Sequence, residues 1–342
     1  MKILVISPNP SFGGGSTANR NIASMLSMAG HEVCYADEFG PSGNFAGVEY
    51  VKLPVYASRL RGKRMIMKHI RQEGFELVLF AVPQMIAFYI FNVLWLRLVH
   101  KVKFGIVFHS LSLSKSFKAR IFDSIIAFAS MFADLLCYVS DYTKVTWEKY
   151  LTVRLSGART HVIHNAVPAT ETQGNLSEGK PRIALVGRLS EEKRPEIFCE
   201  CAKKLHDHFD FNVWGNGPME QELKEKYAGY VTFRGYESSA ERIYGQTDIL
   251  MVTSLFENCP MVILEARSYG IPALSVNVGG ISEILSEGVN GLFFDKDDSP
   301  EDIKARIERI VSEYPIFQKQ CRQTELTLNT VYPKWHKAVS DI

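Results

Sequence analysis

Thr253-Ser254-Leu255-Phe256-Glu257-Asn258-Cys259-Pro260-Met261-Val262-Ile263-Leu264-Glu265-Ala266 follows an apolar, strand-like run at 249–252. Pro260 suits the first helical position, and Gly270 with Pro272 stops the helix after Tyr269. A strand that passes through a loop into a helix is one unit of an α/β fold. The free N–H groups of the helix's first turn, those of Met261 and Val262 among them, make an anion site. Glu257 falls in the loop, and Glu265 lies five residues beyond Pro260, about 7.5 Å further along the axis. Two carboxylates straddling a helix start do not flank a single bond, as a hydrolase acid/base pair must. They suit hydroxyls at the two ends of an extended ligand whose middle is anionic. Alone, Glu257 would read as a cap-region charge and Glu265 as a solvated helix residue.

Outward from this stretch, strand-like runs alternate with helical ones along the whole chain. They fall at 3–6, 32–36, 48–53, 76–81, 103–108, 135–139 and 161–163, then at 182–186, 211–214, 231–233, 249–252, 273–276 and 292–294. Between the two blocks, the polar segment 169–180 reads as a linker. Short β-branched strands separated by helices imply parallel sheets covered on both faces. The expected architecture is therefore α/β, with two Rossmann-like doubly wound domains and an interdomain cleft as the default ligand site. The expected boundaries are 1–168 and 169–325, with 326–342 as a C-terminal helix packing back on the first domain.

Other motifs fall at the carboxyl ends of these strands. Val186-Gly187-Arg188 ends the first strand of the second block, and Lys193 follows five residues later. A rigid guanidinium fork and a mobile ammonium can together neutralise a diphosphate. Gly215-Asn216-Gly217-Pro218 forms a turn after Trp214, and Phe233-Arg234-Gly235-Tyr236 ends a strand where a base could lie against backbone and ring. Gly279-Gly280 follows 273–276, with Glu283 next. In the first block, Gly13-Gly14-Gly15 precedes a helix expected to begin near Thr17, so Gly14 and Gly15 allow a ligand close to backbone. His109 comes just after the strand 103–108.

This ordered set resembles the donor domain of family 4 glycosyltransferases with the GT-B fold: Gly187-Arg188, Lys193, Gly215-Asn216-Gly217-Pro218, Phe233-Arg234-Gly235, Ser254, Glu257, Glu265, Gly279-Gly280, Glu283 and Asn290-Gly291. The resemblance covers 182–295 closely and the first block more loosely. It implies retaining transfer from a nucleotide sugar, a UDP- or GDP-sugar, without a metal or other cofactor. Glu257 would hold sugar hydroxyls, Glu265 the ribose, and Arg188 with Lys193 the diphosphate. His109 would lie near the reacting centre. Backbone and side chains of Gly215, Gly217, Gly235, Tyr236, Asn258, Cys259, Met261 and Val262 would line the donor. Asn258-Cys259-Pro260 stands where the commonest family pattern has Gly-Phe-Gly, and Asn165-Ala166 stands for its Asn-Gly. Asn165 is expected to act as a hinge.

Several patterns are decoys. Gly13-x-Gly15-x-x-Ala18, with Asp37 about 20 residues on, matches the dinucleotide fingerprint. That keeps an NAD-dependent enzyme as one rival, although five residues separate Ser7 from Gly13, too many for the tight turn the fingerprint needs. A non-catalytic nucleotide-sugar-binding module is the other. Asp295-Lys296-Asp297 imitates a metal-binding motif, but Asp297-Asp298-Ser299-Pro300 reads as a helix cap. Cys199-x-Cys201 and His206-x-His208 lack structural zinc spacing.

At 342 residues, 46% hydrophobic and 22% charged, the chain has the make-up of two globular domains, which argues against disorder. Six cysteines without paired spacing suit a reducing cytosol. The run 3–6 is too short for a signal-peptide core, so a cytoplasmic protein is expected. Residues 1–165 carry +9 and the remainder −7. A basic first half suggests an anionic partner, read here as membrane lipid rather than nucleic acid. The cluster Arg59, Arg61, Lys63, Arg64, Lys68 and Arg71 fits either a solvated helix face or contact with an anionic membrane. The stretch 77–99 reads as a strand, a turn at Pro83-Gln84 and an apolar helix at 85–98, not as a membrane span. Phe88, Phe91 and Trp95 on that helix either touch lipid or are buried. The acceptor is expected to be a glycan or a lipid-linked sugar, as in surface polysaccharide or glycolipid synthesis.

Overall fold

A computed structural model of the chain describes residues 1–7, 13–38, 47–54, 60–109, 117–151, 159–323 and 325–342. They form two compact units, Met1–Ala166 with Leu328–Ile342, and Val167–Thr327. The first holds strands β1 (Lys2–Ile6), β2 (Glu32–Asp37), β3 (Val48–Lys52), β4 (Leu77–Phe80), β5 (Lys103–Phe108), β6 (Leu135–Tyr138) and β7 (Thr160–Val162). Helices α1 (Gly14–Met28), α2 (Leu60–Glu73), α3 (Pro83–His100), α4 (Phe117–Phe132) and α5 (Asp141–Leu151) connect them. The strands pair in parallel in the order β3-β2-β1-β4-β5-β6-β7.

The second unit has strands β8 (Arg182–Val186), β9 (Asp210–Trp214), β10 (Thr232–Gly235), β11 (Ile249–Val252), β12 (Ala273–Val276) and β13 (Gly291–Phe294). Its helices are α6 (Pro195–Leu205), α7 (Glu220–Lys226), α8 (Ala240–Tyr244), α9 (Met261–Ser268), α10 (Pro300–Ser312) and α11 (Tyr314–Arg322). The parallel order is β10-β9-β8-β11-β12-β13. The chain ends in α12 (Leu328–Ser340), which packs on α1 of the first unit through Val331, Trp335 and Val339.

Helices on both faces of each sheet explain why the central strands read as unbroken apolar runs rather than as alternating ones. Ile3, Leu4, Val5 and Ile6 are all buried, as are Leu250, Met251 and Val252. In the first core, Phe108 stacks on Tyr138 at 4.6 Å and meets the edge of Trp147 at 5.1 Å. In each sheet the strand order reverses beside the first strand, between β1 and β4 and again between β8 and β11. Loops leaving such a pair in opposite directions open a crevice beyond the strands' carboxyl ends, where α/β proteins take their ligands.

Local differences from the expected elements have clear causes. Helix α1 begins at Gly14, not near Thr17, with Gly13 capping it at φ 121°. Gly14 and Gly15 therefore belong to the first turn and not to the loop before it. Helix α3 begins at Pro83, whose missing N–H costs nothing at a helix start. Segment 169–180 is not a free linker. Gly174 N donates to Tyr269 O (2.9 Å), Gln318 Nε2 to Gly174 O (2.5 Å), and Arg322 to the carbonyls of Thr170 and Thr172. Its polar composition serves a strap held to α11. Ser299 caps α10 in a reciprocal capping box with Asp302, and Pro300 opens the helix. Arg59, and the side chains of Leu60 and Arg61, lie outside the described residues.

The reversal between β8 and β11 is clamped at the opposite end of the strands. Asp248 is fully buried and accepts from Arg182 N (2.7 Å), Nε (3.1 Å) and Nη2 (2.7 Å), while its own N–H donates to Arg182 O (2.8 Å). Removing the guanidinium alone would strand a buried carboxylate. Arg182→Met should therefore destabilise the second unit by about 3 kcal/mol in chemical denaturation. Arg182→Met/Asp248→Leu should recover part of that loss, because no charge is then left buried.

Candidate active site

The loops leaving β8 and β11 carry Arg188, Lys193 and Glu257, so three of the expected site residues lie on the loops that flank the strand-order reversal of the second sheet. After β8 the chain turns through Gly187 (φ 146°), enters a short 3-10 turn at Glu191–Lys193, and reaches Arg194 in the left-handed region (φ 44°) before α6. That turn is laced to the β11 loop. Arg194 Nε donates to Thr253 O (2.8 Å) and Nη2 to Ser254 O (3.0 Å). Thr253 Oγ1 donates to Lys193 O (2.7 Å), and Leu255 N to Glu192 O (2.8 Å).

Held this way, Lys193 Nζ reaches Glu257 Oε1 at 2.5 Å, and Ser254 Oγ donates to the same oxygen at 2.8 Å. Glu257 is buried, so its charge needs both partners. Its carbonyl accepts from Gly280 N at 3.0 Å. A Cβ at Gly279, which has φ 62°, would collide with that carbonyl. Two further glycines bring a third loop, the one after β9, against the first: a Cβ at Gly215 would strike Gly187 O, and one at Gly217 would strike Leu189 O. Leu189 N donates to Asn216 O and Met219 N to Leu189 O, while Gly215 N donates to Gly235 O at 2.7 Å. Four loops thus meet backbone to backbone.

Arg188 is exposed, with no ion-pair partner among the described residues. Ser190 Oγ, in the same loop, is buried and unpartnered. Gly235 ends β10 at φ 73°, and Tyr236 beside it is half exposed. Asn258, Cys259 and Met261 are buried, and Val262 is partly so. Pro260 caps α9 in extended geometry (ψ 121°) and is not its first helical residue, so the helix starts at Met261.

Glu265 belongs to a separate group. Tyr244 Oη, from α8, donates to Glu265 Oε2 (3.0 Å) and to Val262 O (3.2 Å), and its ring stacks on Tyr269 at 5.3 Å. Among the described residues, Glu265 shares no hydrogen-bond partner with Glu257. The residue keeps some exposed surface, but its carboxyl group is enclosed, and desolvation pushes its pKa up against the opposing Tyr244 hydrogen bond. Enclosure and the carboxylate neighbour likewise push the Tyr244 phenol up.

In the first unit, β1 leads towards Gly14 and Gly15, whose first-turn N–H groups have no acceptor within the helix. Residues 8–12 between them lie outside the described residues. His109 follows β5, and burial pushes its imidazole down to about 4, so it is neutral at physiological pH. Asn165 is buried at the end of the first unit's main segment. Among the described residues, no three His, Cys, Asp or Glu side chains are placed to hold a metal ion. Cys199 and Cys201 are buried thiols.

Sequence reading missed Arg194, Thr253 and Tyr244. Arg194-Pro195 does announce a helix start, but nothing local signals a left-handed arginine reaching across to another strand's loop. Tyr244 is brought to Glu265 only by tertiary packing.

The raised pKa of Glu265 fixes the sign of a stability effect. Stability that is fully present below the ordinary glutamate pKa is lost as pH rises through the higher folded-state value. Glu265→Gln, which keeps an acceptor for Tyr244, should therefore unfold at a higher temperature than the wild type at neutral pH. The gap should close as pH falls into the ordinary glutamate range; thermal unfolding across a pH series measures it.

The sequence matches two family models, Glycosyltransferase Family 4 over residues 12–171 and Glycosyl transferases group 1 over 180–313. The O-antigen biosynthesis glycosyltransferase WbnH of Escherichia coli is 27% identical over 201 residues, 56% of this chain and 57% of that protein. The sulfoquinovosyl transferase SQD2 of Arabidopsis thaliana is 31% identical over 139 residues, 37% of this chain and 27% of that protein. The chain thus spans between 39% and 57% of the length of the first curated relatives it matches. The solved structure of Anabaena Alr3699/HepE in complex with UDP-glucose aligns over 100% of both chains with a TM-score of 0.82 at 15% identity, a likeness of fold. With two doubly wound units and both family models matched in turn along them, the chain belongs to the GT-B-fold glycosyltransferases of family 4 and group 1.

Proposed function

We propose that the chain is a retaining glycosyltransferase that moves a sugar from a nucleotide sugar to a glycan or lipid-linked acceptor in surface polysaccharide or glycolipid synthesis, at the cytoplasmic face of a membrane. The observation that carries this is the buried Glu257 held by Lys193 and Ser254 beside an exposed Arg188. WbnH, by its name, works in O-antigen biosynthesis, and HepE holds UDP-glucose, which favours a UDP-sugar as donor.

In this reading the donor's diphosphate takes Arg188, the first-turn N–H groups of α9 and the unpartnered Ser190 hydroxyl. Lys193 is shared between Glu257 and the leaving phosphate, so negative charge arriving on the diphosphate meets a cation already in place. Glu257 accepts from sugar hydroxyls, and Glu265 accepts from the ribose once the ribose hydroxyls supply donors that favour its ionised form. The bond from the sugar's anomeric carbon to the diphosphate oxygen breaks. The acceptor hydroxyl oxygen bonds the same face of that carbon, and its proton passes to the departing diphosphate oxygen. No protein carboxylate has to serve as base, and no metal is required. The acceptor falls to the first unit, where the first-turn backbone of Gly14 and Gly15 and the neutral His109 offer hydrogen bonds without charge.

Hydrolysis of UDP-, GDP- and ADP-sugars, each with and without chelator, tests the reading. A UDP-sugar should turn over with chelator present, and a strict need for divalent metal contradicts the mechanism. Glu257→Gln should fold normally and lower kcat by about 10²–10³-fold. Arg188→Ala should act chiefly on donor KM, by roughly tenfold or more. Thermal stabilisation by NAD but by no nucleotide sugar would favour the dinucleotide alternative.

A further inference from the structure

We propose that the outer face of α3 and α4 is a docking surface for an anionic lipid bilayer, with α2 and the end of α3 forming its headgroup-binding edge. The proposal deepens the lipid-linked-acceptor reading and rests on it for the acceptor's location. The surface itself uses residues outside both strand-order reversals.

A helix covering a sheet normally turns a polar side to water. Helix α3 does not. Phe88, Phe91, Trp95 and Leu98 recur at helical spacing along its outer side, with Phe91 84% and Leu98 82% exposed. Phe88 touches Phe122 of α4 at 5.5 Å, and α4 continues the surface with exposed Ile121, Phe128 and Met131. Of the sixteen large apolar side chains exposed among the described residues, nine stand on these two helices, so the apolar surface is one concentrated patch rather than ordinary scatter. No helix among the described residues is long and apolar enough to cross a membrane. The arrangement is one that lies against a bilayer.

Charge selects the occupant. Between Leu60 and Lys101 there are seven Lys or Arg, and the only acids are Glu73 and Glu76. Both acids are engaged by Lys2, Glu73 through its ammonium (3.4 Å) and Glu76 through its backbone N–H (2.7 Å). Arg64, Lys68 and Arg71 form an exposed row on α2. Arg71 lies over the Trp95 ring at 5.7 Å, and Trp95 meets His100 at 4.9 Å. Beside them opens a recess of about 330 Å³ lined by Arg71, His100, Lys101 and Lys103, with Glu76 its single carboxylate. Cations next to an amphipathic aromatic ring are the pattern of a headgroup layer, with apolar side chains reaching beyond it. A protein interface is ringed by a rim of mixed polar character; this edge is predominantly cationic, and its two acids, Glu73 and Glu76, are both engaged by Lys2.

Sedimentation of the full chain with phosphatidylcholine vesicles, with and without phosphatidylglycerol, tests the proposal. The wild type should bind the phosphatidylglycerol vesicles and release them at high salt. Phe91→Ser/Leu98→Ser, at two positions largely in water, should weaken binding about tenfold or more. Arg64→Gln/Lys68→Gln should weaken it roughly fivefold per cation removed and erase the preference for phosphatidylglycerol. Both variants should hydrolyse donor without vesicles as the wild type does. If the wild type bound vesicles but turned over no donor, the catalytic reading would fail and the surface would stand. Wild type that ignores phosphatidylglycerol vesicles, or Phe91→Ser/Leu98→Ser that binds them unchanged, overturns the proposal. So does a lipid-independent dimer that this double variant disperses.

Discussion

Arg194 fixes the distance between two loops that are neighbours in space and about 60 residues apart in sequence. Strands β8 and β11 pair directly, but the ladder stops short of the loops, which the backbone bond from Leu255 N to Glu192 O joins across the gap. The guanidinium spans that gap with two charge-assisted bonds to carbonyls, each worth about 1.5–3 kcal/mol where burial is substantial. To reach them, Arg194 adopts a left-handed backbone, which costs roughly 1–2 kcal/mol for a residue with a Cβ. The gain outweighs the strain. It also delivers Lys193, the preceding residue, to Glu257.

A second constraint is steric. Gly279, Gly215 and Gly217 each stand where a Cβ would overlap a carbonyl oxygen of a neighbouring loop. These contacts back the two loops that carry Lys193 and Glu257, Gly215 and Gly217 lying against Gly187 and Leu189, and Gly279 against Glu257 itself. The sequence needs glycine here for closeness as well as for unusual dihedrals. Placing the polar machinery on such tightly interlocked turns makes its geometry a property of the sheet edge, not of loop conformation.

The same distinction explains what could be read from the chain alone. Strands showed because a parallel sheet covered on both faces demands continuous apolar runs such as Leu250-Met251-Val252. Arg188, Lys193 and Glu257 could be placed beyond the strand ends because they follow the runs that end at Val186 and Val252. Helix starts were less visible: Gly14 is a poor helix former yet opens α1, and Pro260, expected as the first helical residue, is the extended cap before it. The strap at 169–180 looked like a linker because hydrogen bonds from Gln318 and Arg322 leave no pattern in its own composition. Tyr244 was invisible for the same reason. A contact between α8 and α9 is written in neither helix alone.

Charge shows most plainly how whole-chain balance and local chemistry separate. The second half is acidic overall, which on its face argues against an anionic ligand there. Three of its acids lie in i,i+4 pairs on helices, Glu220 with Lys224, Glu308 with Lys304 and Glu313 with Arg309. Water and salt screen such pairs, and they contribute little at a distance. At the strand-order reversal, Glu257 already has its counter-ion in Lys193, and Arg188 has none among the described residues. The first half shows the converse. Its positive excess gathers on α2 and the end of α3, while His109 carries no charge at neutral pH. Net charge therefore describes the surfaces that water and lipid meet, and single unpaired groups decide what the sheet edges can hold.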